Sequence, residues 1–252
     1  SNGISLGSEA GGNQNSLGYV GWSWKAGGTG VSNTNGSITS TVSVNTAAGF
    51  SIVSFTGTGS TATVGHGLSS TPDIIMVANR SVGGHWNFMH SAVNGHTGYM
   101  YSDGNGAFGS PYTPPWNGTA PTNSYFTVGN DSDTNGSASA IIAYCWHEVS
   151  GYSKFGSFTG NGSSTGPTVT TGFQPSFVLI KDSTQGGHNW SIWDDVRSTS
   201  NTRTKIVKMD STVAEYDSAA VGIDFLSTGF QPKNTDPAIN KTGNTYIYMA
   251  FA

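Results

Sequence analysis

The chain has 252 residues, a formal net charge of −4, one cysteine and only 10% charged residues, with room for one large or two small domains. It has no Lys/Arg cluster for a nucleic-acid footprint, no disulfide framework, and no apolar run near the roughly 20 residues that span a bilayer. With 36 glycines and much Ser, Thr and Asn, the surface must be neutral and polar, in the manner of extracellular or virion proteins.

Strand signals dominate from the start. The run 19–24, Tyr-Val-Gly-Trp-Ser-Trp, reads as a strand that needs a partner, because an unpaired apolar strand invites aggregation. Asn35-Gly36 between the runs 31–34 and 37–44 predicts a hairpin. Further strands are expected at 50–55, 74–77, 86–89, 141–146, 177–180, 192–193 and 245–251. The nearest thing to a helix is a weak pattern at 213–221, and frequent Gly argues against helices generally.

The chain also repeats itself. Gly49-Phe50-Ser51 through Phe55-Thr56-Gly57-Thr58-Gly59 returns as Gly151-Tyr152-Ser153 through Phe158-Thr159-Gly160-Asn161-Gly162. Thr71-Pro72-Asp73-Ile74-Ile75-Met76-Val77 matches Gln174-Pro175-Ser176-Phe177-Val178-Leu179-Ile180. Gly83-Gly84-His85-Trp86-Asn87 matches Gly186-Gly187-His188-Asn189-Trp190, and 142–146 matches 247–251. The period of roughly 100 residues is that of a small domain. The reading is all-β: two tandem antiparallel β-sandwich modules, jelly-roll-like, at 49–150 and 151–252. Residues 1–48 form an N-terminal strand segment, either the end of a preceding module or the lead strands of the first.

These same motifs, with Gly65-His66-Gly67-Leu68, Ala120-Pro121-Thr122-Asn123-Ser124 and Ala143-Tyr144-Cys145-Trp146-His147-Glu148-Val149, resemble a repeated module of marine bacteriophage proteins. The resemblance covers roughly residues 19 to 252. It implies a tail fibre or other virion surface component, at the virion surface or outside the cell. It further implies, by analogy, a homo-oligomer such as a trimer that contacts other virion proteins. It implies no catalytic residues. In the second copy Thr170-Thr171-Gly172-Phe173 replaces Gly65-His66-Gly67-Leu68, so His66 has no role common to both.

Two stretches carry candidate chemistry. Asp131, Asp133 and Asn135, followed by Gly136, have the 1, 3, 5 and 6 spacing of a calcium loop, although Ile142 stands where the closing acid belongs. The bland reading is a solvated hairpin loop. No cofactor other than calcium is suggested. In the loop 99–118, Tyr99, Tyr101, Tyr112 and Trp116 with Asn117 form a candidate ligand-binding set, stiffened by Pro111, Pro114 and Pro115. Rings cover the apolar face of a sugar while amides and acids bond its hydroxyls. The alternative is that the rings pack down over the end of the sandwich.

Metal binding by histidine has no supporting spacing, and Cys145 reads as a buried hydrophobe. Trp86, Trp190 and Trp193 read as core. Asp194, Asp195, Glu148 and Glu215 would serve a polysaccharide-degrading enzyme only if the fold paired two of them. The expectation is a non-enzymatic virion surface protein of tail-fibre or adhesin type, binding host surface glycans. The alternative is a purely structural fibre, filament or capsid-decoration subunit. No nucleic-acid partner and no membrane insertion is expected.

Overall fold

A computed structural model describes residues 4–252. The first half contributes β1 (Val31–Asn33), β2 (Ser40–Asn45), β3 (Phe50–Thr56), β4 (Ala62–Gly65), β5 (Ile74–Asn79), β6 (Asn87–His90), β7 (Tyr125–Val128) and β8 (Ala140–Trp146). The second contributes β9 (Ser153–Thr159), β10 (Val169–Thr170), β11 (Phe177–Asp182), β12 (Ser191–Asp194), β13 (Lys205–Lys208), β14 (Tyr216–Asp217), β15 (Ile223–Leu226), β16 (Gly229–Pro232) and β17 (Thr245–Phe251).

Each half builds one six-stranded sheet, in the orders β1-β2-β3-β8-β5-β6 and β14-β13-β12-β11-β17-β9. The common unit is β3-β8-β5-β6 in one and β9-β17-β11-β12 in the other. Ile74 pairs with Trp146 as Phe177 pairs with Phe251, which confirms the alignment of those residues. A small sheet closes each core: β4-β7 in the first half, β10-β16-β15 in the second. The hairpin at Asn35-Gly36 exists, with Val31 opposite Val42 and Asn33 opposite Ser40.

Strand alternation explains the layering. On β8, Ile141, Ala143 and Cys145 face the core of their own half, under Phe126 and Val128 of the small sheet. Tyr144 and Trp146 face the other way. On β17, Tyr246, Tyr248 and Ala250 face their own core, while Ile247, Met249 and Phe251 face away. These outward faces meet: Ile74, Phe88 and Trp146 share one apolar cluster with Leu179, Ile192 and Phe251. The large sheets are therefore buried on both sides, and a doubly buried strand reads as a continuous apolar run. Each large side chain buried there contributes about 1.5–3 kcal/mol.

The 19–24 segment is not a strand. Trp22 and Trp24 are half-buried while Gly21, Ser23 and Lys25 are exposed, so the alternation is present without a ladder. The segment acts as a strap across the seam between the halves. Trp22 Nε1 donates to Asp194 Oδ2 at 3.2 Å. Trp24 meets Trp146, Phe177 and Phe251 edge-on at 6.2, 5.7 and 5.4 Å. β1 and β2 stand at one edge of the first sheet, beside β3.

Candidate functional site

The segment 130–136 is a capped helical turn. Asp131 precedes the turn Ser132–Asn135, and its Oδ1 accepts from Asp133 N at 2.8 Å. Asn135 is fully buried. Its Oδ1 accepts from Thr58 N at 2.8 Å, and its Nδ2 donates to Ser60 O and Gly129 O at 2.7 Å each. The amide is spent on backbone groups of the chain itself. Asn135 is thus a latch, which corrects its reading as a cation ligand. Among the described residues no group of three His, Cys, Asp or Glu could hold a metal ion.

The second half repeats this latch from a different sequence. Asp236 caps the turn Pro237–Asn240, accepting from Ala238 N at 2.8 Å. Asn240 accepts from Asn161 N at 2.9 Å and donates to Ser163 O and Asn234 O at 2.8 and 2.9 Å. The repeated Gly-x-Gly bends are what the latches grip. A Cβ on Gly57 would stand 2.2 Å from Gly136 O, and one on Gly160 2.3 Å from Lys241 O.

The tyrosine loop is clamped between the halves. Residues 99–102 run extended beside β6, with Phe88 N donating to Met100 O at 2.7 Å and Ser102 N to Trp86 O at 2.9 Å. Met100 and Ser102 are buried, while Tyr99 and Tyr101 are half-buried on the opposite face. The loop then bonds the second half. Trp190 Nε1 donates to Tyr101 O at 3.0 Å, Phe108 N to Ser183 O at 3.0 Å, and Gly187 N to Asn105 O at 2.9 Å.

The outer side of this loop gathers a cluster. Tyr99 lies 5.1 Å, centroid to centroid, from both Tyr101 and Tyr112, and Tyr101 stacks on His85 at 4.0 Å. The Tyr112 hydroxyl donates to Asp131. Asp133 Oδ2 accepts from His85 N at 3.0 Å. Asp103 accepts from Trp86 N at 3.1 Å and faces His85 Nδ1 at 3.3 Å. Gly84 makes room for this packing, since a Cβ there would fall 2.1 Å from Asp133 Oδ1. The two candidate sets thus merge: Tyr99, Tyr101 and Tyr112 share one surface with Asp131 and Asp133.

Burial, with the neighbouring Asp133 charge, pushes the Asp131 carboxyl up from its ordinary value, against the bonds it accepts. Burial first, then the charge of Asp131, pushes the Tyr101 hydroxyl up to about 12. Tyr101 therefore remains a hydrogen-bond donor at neutral pH. The surface offers flat rings, a donor hydroxyl and acceptor carboxylates.

Trp116 does not belong to it. It is 2% exposed and closes the core of the first half, so its exposure was misread. Asn117 is exposed in a left-handed turn (φ 51°), and its Oδ1 accepts from Thr61 Oγ1 at 3.4 Å rather than joining the tyrosines. Of the core tryptophans, Trp190 and Trp193 are fully buried, but Trp86 is 37% exposed.

Of Asp194, Asp195, Glu148 and Glu215, all but Asp195 form ion pairs among the described residues. Glu148 pairs with Lys154 at 2.7 Å. Arg197 bridges Asp194 at 2.6 Å and Glu215 at 2.9 Å. Burial acts to raise Asp194, but bonds from Arg197, its charge and the Trp22 indole outweigh it and hold the carboxyl below its ordinary value.

Sequence reasoning missed His85 and Asp103 as site residues. It also aligned the 83–87 segment one residue off: Asn87 and Ser191 hold equivalent places, opposite Val77 and Ile180, so Trp86 matches Trp190. Both tryptophan backbones bond an acid, Asp103 at 3.1 Å and Asp210 at 3.0 Å. That shared acid was the available signal.

The fold and this surface define an all-β protein of two paired sandwiches with an aromatic, acidic face on one loop. Residues 1–252 match the model of a domain of unknown function, DUF7483, and the chain belongs to that family. No curated protein and no solved structure matches it.

Proposed function

We propose that the chain is a non-enzymatic virion surface protein of tail-fibre or adhesin type, and that its tyrosine face binds a neutral host-surface glycan. The observation that carries this reading is the clustering of Tyr99, Tyr101 and Tyr112 with Asp103, Asp131 and Asp133 on a loop clamped by both halves. A pre-ordered loop loses little freedom on binding. The resemblance to phage tail-fibre modules supports the virion setting. The test is titration with host-surface polysaccharides. Tyr101→Ala with Tyr112→Ala is expected to weaken binding at least roughly tenfold, or about 1.4 kcal/mol. Unchanged binding would remove the site.

A purely structural fibre or capsid-decoration subunit is the second reading. β1 is an edge strand carrying Val31, which is 62% exposed. Such an edge can pair with another copy. This reading expects a stable oligomer by sedimentation, dispersed by Val31→Lys, and no glycan affinity.

A further inference from the structure

The second half has a site of its own at the place the tyrosine face takes in the first. Lys208 stands opposite Ser191 as Tyr101 stands opposite Asn87. In the first half the Asp133 side chain reaches from the capped turn to His85 N at 3.0 Å. Ala238 holds the equivalent position in the second capped turn, and its methyl group leaves that space open. A pocket of about 170 Å³ lies there, bordered by Ala238, by Ser191 of β12, by Lys208 of β13 and by Tyr216 of β14.

We propose that this pocket binds one uronic acid unit, a six-membered sugar ring that carries a carboxylate. A cavity of about 150 Å³ holds a benzene ring, so the pocket has the size for one such ring. Lys208 lines it, with its ammonium 5.5 Å from the Tyr216 ring centre, and has no ion-pair partner among the described residues. That cation sets the sign of the guest's charge. Asp236, also in the lining, spends Oδ1 on Ala238 N at 2.8 Å and keeps Oδ2 to accept a sugar hydroxyl. Ser191 is 3% exposed, and its hydroxyl reaches only Asn189 O at 3.5 Å, beyond the roughly 2.5–3.0 Å of an O–H···O bond. A buried hydroxyl held so loosely gains from an oxygen on the guest. His188 completes the wall. The fully buried Asp182 carboxylate accepts from Thr184 N, Gln185 N and Asn244 Nδ2, and from His188 Nδ1 at 2.9 Å, which fixes the ring's orientation. Nε2 of His188 has no partner among the described residues. Relative to the tyrosine face, this site has lost the acid Asp133 and gained the cation Lys208. The inference rests on residues of the second half alone and not on the glycan reading of the first.

The probe is D-glucuronate, with D-glucose as its neutral counterpart, titrated into the full chain. Amide NMR spectra and calorimetry provide the readouts. Saturable glucuronate binding with a Kd at or below about 1 mM is expected, with glucose at least roughly tenfold weaker. Ala238→Asp, which restores the acid of the first half, is expected to weaken glucuronate at least roughly tenfold. Lys208→Met is expected to remove the preference for glucuronate over glucose. Lys208 is half-buried, so that variant decides the matter if Ala238→Asp does not fold. Tyr101→Ala with Tyr112→Ala is expected to leave glucuronate binding unchanged, which separates the fate of this site from that of the tyrosine face. The absence of saturable glucuronate binding would overturn the proposal, as would equal affinity for glucose. Parent-like binding in folded Ala238→Asp or Lys208→Met, or loss of binding in the tyrosine variant, would overturn it as well.

Discussion

The two halves share a four-stranded unit and differ in how they extend it. The first adds β1 and β2 beside β3, whereas the second adds β13 and β14 beside β12. The strand position next to β6 holds Tyr101, and the one next to β12 holds Lys208. The capped turns differ in the same way: the residue two places after the capping acid is Asp133 in one and Ala238 in the other. The latches with their capping acids, the Gly bends, the acid on the tryptophan backbone and the inter-sheet face recur, while Tyr101 and Asp133 give way to Lys208 and Ala238. What recurs builds the fold, and what occurs once is where recognition can reside.

The largest test of this division is the latch. Asn135→Ala and Asn240→Ala each leave three backbone groups without their side-chain partner and a cavity in place of a fully buried amide, and are expected to cost about 4 kcal/mol, measured by denaturant unfolding. Equal losses would support equivalent latches, and a gap of several kcal/mol would break the comparison.

A smaller effect comes from a position the halves do not share. His90 corresponds to Asp194 in register, opposite Ile74 as Asp194 is opposite Phe177. Its Nδ1 accepts from Ala92 N at 3.1 Å and its Nε2 donates to Tyr248 O of the other half at 3.2 Å, which fixes a neutral ring. Burial lowers its pKa from 6.5 to about 4. The folded value lies below the unfolded one, so this stability is complete above pH 6.5 and declines as pH falls toward 4. The loss amounts to roughly 3 kcal/mol. His90→Gln should flatten that slope relative to the parent chain, and an unchanged slope would assign the acid sensitivity elsewhere.

Exchanging chemistry between the halves sharpens the comparison further. Tyr101→Lys, the residue of the second half, should abolish most glycan binding, a loss of about 1.4 kcal/mol or more. Asp133→Ala should weaken binding by less and cost about 1 kcal/mol of stability, through the bond to His85 N. Full binding in both variants would mean that recognition does not reside in the unshared residues.

The repeat and the all-β class were legible because the apolar runs and Gly-x-Gly bends lie in the chain itself. The packing of the sheets against each other was not. Ile142, Tyr144 and Trp146 alternate with Ile141, Ala143 and Cys145, and both sets are apolar, so nothing local separates own core from shared seam. Half of the site was legible in the tyrosines. Trp116 misled because its partners, Phe126 and Val128, lie on a strand closed over it by the fold. Asn135 misled because Asp-x-Asp-x-Asn-Gly suits a capped turn as well as a cation loop; only the approach of Ser60 and Thr58 distinguishes them.

The shared seam also governs how the two copies can evolve. A substitution at Ile74, Met76 or Trp146 alters the surroundings of the sister copy as much as its own. Drift on that face has to be answered across the seam, whereas the outer loops can change one at a time. The duplication therefore divides each copy's positions into two groups, one bound to compensating pairs of changes and one open to independent ones.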